Sequence, residues 1–223
     1  GNTGSVTNLK NLVNNSGVVA ADVTGVGTAR ERLAAASYGT GLAIFAHGTT
    51  GSATAISNLV NTSGVIASDV SGVGTARFGL AASSFGGDKA IFGYGRPGSG
   101  NSSLTNLVSN VGVLSSDVTG VGTARRDIAA ASYGGDKGVF GYGIASSSSN
   151  VTNKVSNVGV VATDTTGVGS ARYYLAATGY GGDKAIFGFG STGSVTGITN
   201  LVNNSGLVAA DVSAVGTARE KPA

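Results

Sequence analysis

The chain has 223 residues and a mass of 21.5 kDa, with 39 Gly, 2 Pro and no Cys, Met or Trp. Charged residues make up 11% and hydrophobic residues 41%, so a core can form and charge-driven disorder is excluded. The absence of Cys excludes a disulfide framework, a thiolate zinc site, an iron–sulfur cluster and a cysteine nucleophile, and the lone histidine, His47, excludes a multi-histidine metal centre.

Along the chain, residues 7–23 come first. Two Val- and Leu-rich arms flank Asn15-Ser16-Gly17 and predict a β-hairpin. The string VGTAR then leads to Arg30. Leu33 to Tyr38 is short, apolar and rich in small residues; a Gly-rich turn and the run Ala43-Ile44-Phe45 follow, which predicts a second hairpin. Both hairpins recur. Arg30, Arg77, Arg125, Arg172 and Arg219 are spaced by 47, 48, 47 and 47 residues. Asp22, Asp69, Asp117, Asp164 and Asp211 each stand eight residues before one of them. The first hairpin occurs five times and the second four times, so the same half-unit stands at both ends. Helical periodicity is absent and Gly interrupts nearly every window.

Four short strands per unit of about 47 residues predict an all-β fold of propeller-blade repeats, one domain over 1–223 with repeat boundaries near the five arginines. The segment TARRDIAAASYGGDKGVFGYG resembles the kelch motif: an Arg, a small apolar strand, a turn, and a hydrophobic run closed by glycines. Gly141 and Gly143 bracket an aromatic instead of standing together, and Val or Leu replaces the kelch Trp. The phrasing of the repeats is also similar to repetitive virion proteins, tail or tail-fibre, of marine and cyanobacterial tailed phages. These resemblances imply a kelch-like β-propeller in an extracellular or virion setting. The repeats supply about 18 strands, whereas five complete blades need about 20 and four about 16. Five sectors are favoured; four blades with a spare hairpin, or part of a longer array, are the alternatives.

Positions that stay in register between units are expected to be structural. Tyr38, Phe85, Tyr133 and Tyr180 form one aromatic slot, and Phe45, Phe92, Phe140 and Phe187 a second. His47 shares a third with Tyr94, Tyr142 and Phe189, so it reads as core filler. The Asp/Arg pairs read as salt bridges or turn caps. The GGDK turns lack the spacing of a phosphate loop. One Asp per turn supplies too few oxygens for calcium. No metal or cofactor is expected.

Varying positions are more informative about binding. The residues after each Arg differ from unit to unit, as do the loops starting at Thr49, Arg96, Ile144 and Ser191. In an up-and-down blade both groups fall on one face. Arg32, Phe78, Arg96, Arg126, Tyr173 and Tyr174 are therefore the candidate partner-binding residues. Catalysis is not expected: no G-x-S-x-G elbow is present, and His47 is the only imidazole base. The expected function is a non-catalytic structural or protein-interaction module, whose partners are other subunits of an assembly. A glycan-binding, lectin-like propeller that meets a host-surface glycan is the alternative. The 14 basic residues are scattered rather than gathered in a stripe, so no nucleic-acid partner is expected at a formal charge of +3. No run of about 18 apolar residues predicts membrane insertion. The lack of Met predicts a processed or excised chain, or one assigned without its start.

Overall fold

In the computed structural model, which describes residues 1–221, β-strands build every regular element. Residues 222 and 223 of the expected domain lie outside the described residues. Twelve strands form four three-stranded antiparallel sheets. The first holds β1 (Ala34–Tyr38), β2 (Leu42–Ala46) and β3 (Ser57–Val60). The second holds β4 (Ala81–Phe85), β5 (Lys89–Gly93) and β6 (Thr105–Val108). The third holds β7 (Ala129–Tyr133), β8 (Lys137–Gly141) and β9 (Thr152–Val155). The fourth holds β10 (Ala176–Tyr180), β11 (Lys184–Gly188) and β12 (Thr199–Val202). No helix among the described residues is long and apolar enough to cross a membrane.

The fourth strand expected in each unit is not a regular strand. The arm after each Asn-Xaa-Gly turn touches its neighbour at two bridges only, as at Ser57↔Val70 and Val60↔Ile66. An Asn side chain explains the gap. Asn58, Asn106, Asn153 and Asn200 turn their amides onto the backbone carbonyls of Ala67, Ser115, Ala162 and Ala209, which a regular ladder would engage through backbone N–H groups. Residues 8–23 repeat this outer hairpin through the bridges Lys10↔Val23 and Val13↔Val19.

The inner hairpins follow the expected turn chemistry. Gly86 and Gly87 both have positive φ, 62° and 79°, as a tight two-residue connection requires. Small residues then let the sheets approach face to face. A Cβ on Gly93 would meet the Phe140 ring of the next sheet at 2.8 Å, and one on Gly141 would meet Phe187 at 2.7 Å. Each Phe thus seats on a glycine one unit back.

Three hydrophobic cores lie between successive sheets. Tyr38 and Ile44 meet Leu80, Phe92 and Val108; Phe85 and Ile91 meet Ile128, Phe140 and Val155; Tyr133 and Val139 meet Leu175, Phe187 and Val202. Burying each such side chain contributes about 1.5–3 kcal/mol. The fourth sheet ends the series. Tyr38, Phe85 and Tyr133 are 4%, 2% and 4% exposed, whereas Tyr180 in the same slot is 41% exposed.

Candidate functional site

Four polar locks tie the units together. Each begins with a buried Arg from the VGTAR string. Arg30 donates from Nη2 to Asn58 Oδ1 at 2.6 Å. Asn58 Nδ2 donates in turn to Asp69 Oδ1 at 2.9 Å. Asp69 also accepts the backbone N–H and the hydroxyl of Thr28, the latter at 2.6 Å. Arg77–Asn106–Asp117–Thr75 and Arg172–Asn200–Asp211–Ser170 repeat the pattern. In the remaining lock Arg125 donates to Asn153 and to the Val151 carbonyl.

The sequence associates each Asp with the Arg eight residues after it. The structure pairs it with the Arg of the preceding string instead: Arg30 with Asp69, Arg77 with Asp117 and Arg172 with Asp211. Nor does the Asp cap its own turn; it caps the loop one unit back. Burial pushes these carboxyls up, but the hydroxyl, amide and backbone donors together with the Arg charge outweigh it and hold all four below the usual range. The Asn is the residue the sequence reading missed. Its signal was an Asn at the same place in an apolar strand of all five units: Asn11, Asn58, Asn106, Asn153 and Asn200.

At the two ends the locks are open. Asp22 is exposed and accepts from Asn11, and Arg219 is exposed with its guanidinium over the Phe189 ring at 3.8 Å. That contact belongs to the third aromatic slot, where Arg125 covers Tyr94 at 4.9 Å and Arg172 covers Tyr142 at 4.3 Å. The phenols donate to the carbonyls of Val121 and Val168, and burial raises both to about 12. His47 fills this slot fully buried, with neither ring nitrogen in hydrogen-bond geometry. Burial, reinforced by the Arg77 charge, lowers it to about 3, against a weak opposing pull from Asp117.

The GGDK turns are spent structurally as well. The carbonyls of Asp88, Asp136 and Asp183 accept from Gly39, Gly86 and Gly134 of the preceding hairpin. Their side chains pair with the adjacent, exposed Lys. Among the described residues no group of three or more His, Asp or Glu is placed to hold a metal ion.

A cavity of about 820 Å³ gathers one equivalent position from every unit: Arg32, Gly79, Asp127, Tyr174 and Lys221. These five form a column. The N–H of Gly79 donates to the Arg32 carbonyl at 3.0 Å, and Asp127, Tyr174 and Lys221 each donate to the member before, at 2.7, 3.2 and 2.7 Å. All have positive φ, between 51° and 62°. Leu33, Leu80, Ile128 and Leu175 form an apolar floor, and Gly1, Asn2 and Glu31 complete the wall.

The candidate binding residues converge on this end. The bridges Phe78↔Arg96, Arg126↔Ile144 and Tyr173↔Ser191 place the variable loops beside the residues that follow each Arg. Arg32 Nη2 donates to Asp127 Oδ1 at 2.6 Å, across Gly79, while its guanidinium lies 4.5 Å from the centre of the Phe78 ring. Arg126 Nε approaches Asp127 Oδ2 at 3.3 Å and its Nη1 donates to Asn101. Tyr173 and Tyr174 meet edge to face at 5.0 Å, and Lys221 lies over the Tyr174 ring at 4.4 Å. Arg32 and Tyr174 line the cavity; Phe78, Arg126 and Tyr173 flank it, and Arg96 stands one backbone bridge outward. Asp127, buried at the centre of this network, is a residue the selection of anchors passed over. The second residue of each variable pair was the signal for it.

No protein-family model matches the chain, and no curated protein matches it.

Proposed function

We propose that the chain is a non-catalytic structural and protein-interaction module. In this reading it is a kelch-like β-propeller with five sectors, working inside an extracellular or virion assembly such as a tail or host-recognition apparatus. The observation that carries the proposal is the column around the cavity. Its backbone is held left-handed at every unit, a conformation that costs a non-glycine residue about 1–2 kcal/mol. Glycine occupies it once, at Gly79, and the other four positions carry Arg, Asp, Tyr and Lys. On a frame that otherwise repeats, four different functional side chains sit where the backbone favours none. A rigid frame that presents a non-repeating, concave cluster of aromatics and charges suits recognition of one asymmetric partner.

The rest of the polar inventory supports a role without chemistry. Four repeated aspartates are engaged in locks and the only imidazole is sealed in a core. A glycan is the second reading. The Tyr173–Tyr174 pair beside the Arg32–Asp127 fork offers a sugar both an aromatic face and fixed donors and acceptors.

Replacing Tyr173 and Tyr174 together by alanine is expected to keep the sheet spectrum and leave the melting temperature within a few degrees. Peptides selected from a display library on the wild-type protein are expected to lose at least about tenfold in affinity for this variant. A glycan array that returns saccharides and no peptides would move the assignment to the lectin reading. Unfolding of the double variant, or peptides that bind both forms equally, would overturn the placement of the site.

A further inference from the structure

The first outer hairpin carries a bare sheet edge. In the four sheets the outer strand is zipped to an inner one, with Ala43↔Val60, Ile44↔Leu59, Phe45↔Asn58 and Ala46↔Ser57 in the first. The corresponding rungs one unit earlier are Val13, Leu12, Asn11 and Lys10. No strand among the described residues pairs with them on that side. Val13 is 62% exposed, whereas Val108, Val155 and Val202 in its slot are 0% exposed.

A second uncovered surface faces the same space. Phe92, Phe140 and Phe187 are fully buried, but Phe45 is only half-buried and Ala35 is exposed. A groove of about 340 Å³ runs between the two surfaces, with Lys10, Asn11, Ala35 and Phe45 in its walls. Gly64 marks its far end. Tyr38, Phe85 and Tyr133 lie against Gly112, Gly159 and Gly206 of the following sheet, but Gly64 is approached by Leu12 and by no aromatic ring.

We propose that this groove is a receptor for one β-hairpin of the chain's own inner-hairpin class, contributed by a segment outside the described residues. The repeat specifies what the occupant carries. Its first strand is small and apolar and ends in Tyr or Phe, which lies on Gly64. Its second strand runs small, β-branched, Phe, then Gly or Ala, to match Val13, Leu12, Asn11 and Lys10. The closing Gly or Ala seats Phe45, as Gly93 seats Phe140 and Ala46 lies in one core with Phe92. Main-chain hydrogen bonds along the edge supply affinity and the alternate side chains supply specificity. A second copy of the chain is a poor donor, because each of its inner hairpins is already the core of a three-stranded sheet. The groove is separate from the cavity, and this proposal stands without that one.

The test uses the full chain and a synthetic peptide with the sequence of residues 126–143, with a scrambled peptide as control. Titration calorimetry is expected to show saturable one-to-one binding. At 10–100 times Kd the peptide is expected to raise the melting temperature by roughly 3–10 °C. Hydrogen exchange is expected to slow at residues 10–13. Val13→Asp is expected to leave the free chain's melting temperature unchanged and weaken binding at least about tenfold. Fusing residues 126–142 directly ahead of Gly1 preserves the repeat spacing and makes a soluble check: protection at residues 10–13 is expected there too. Overturning results are a fusion that leaves residues 10–13 exchanging as before, or equal binding of the scrambled peptide. Concentration-dependent protection of that edge without peptide would name a second copy as the occupant instead.

Discussion

Asp117→Ala is expected to lower stability by about 3–5 kcal/mol, the cost of breaking a buried charge pair by removing one member. Arg77 is fully buried, and its Nη1 lies 3.3 Å from Asp117 Oδ1. Without the carboxylate the guanidinium keeps Asn106 and the Thr75 carbonyl but no counter-charge. The N–H and hydroxyl of Thr75 lose their acceptor as well. Asp22→Ala is the internal control. It occupies the same position in the repeat, yet it is exposed, so its loss is expected to cost less than about 0.5 kcal/mol. Urea denaturation of the two variants makes the comparison. Equal losses would mean that the carboxylate acts within its own hairpin and not through the Arg of the preceding string.

The same lock fixes one arm of the acid response. The four aspartates have folded pKa values below their unfolded ones. Their contribution is therefore fully present above about pH 4 and is lost as the pH falls through the depressed values.

His47→Tyr is expected to stabilise the protein, and more so in mild acid. The slot already accepts Tyr twice: Tyr94 and Tyr142 sit at φ 65° and 64°, against 63° for His47. At neutral pH the exchange removes two buried nitrogens without partners and adds a phenol aligned with the Val73 carbonyl, the counterpart of Val121 and Val168. A gain of about 1–3 kcal/mol follows. The pH dependence has a definite sign. His47 titrates near 6.5 when unfolded and at about 3 when folded, so the unfolded chain takes up a proton that the folded chain refuses. Wild-type stability falls by about 1.4 kcal/mol per pH unit from 6.5 down towards 3, or about 2 kcal/mol by pH 5. The variant is expected to be flat from pH 7 to pH 5. Chemical denaturation at both pH values measures this, and parallel slopes for the two proteins would place His47 in contact with water.

Much of the architecture was legible because the chain is its own alignment. Comparing units located both hairpins, their turns and the aromatic slots. It also placed Phe78, Arg126 and Tyr173 on one face with the loops at Arg96, Ile144 and Ser191. The locks were not legible, for a reason of distance. Asp69 is eight residues from Arg77 in sequence and 39 from Arg30, and local spacing points to the wrong partner. A contact made identically between every pair of neighbours shows the same periodicity as one made inside each unit. The fourth strand was overcalled for a related reason: Val-rich arms satisfy a strand pattern, while the Asn side chain that replaces the ladder acts across it. The cavity was half legible. Variation marked the residues after each Arg, but only the left-handed backbone distinguishes Asp127 and Tyr174, which turn inward, from Arg126 and Tyr173, which flank them.

The column of N–H groups has a direction. Every donor points back to the unit before, from Lys221 through Tyr174, Asp127 and Gly79 to Arg32. Peptide dipoles aligned in this way add, as they do along a helix. Two chains that met through the ends of their columns around a twofold axis would set like ends together. Continuing the pattern requires the opposite arrangement, the trailing carbonyl of one column facing the leading N–H of another. Such a contact is heterologous: it closes into a ring or grows without limit, and it never makes a symmetric pair.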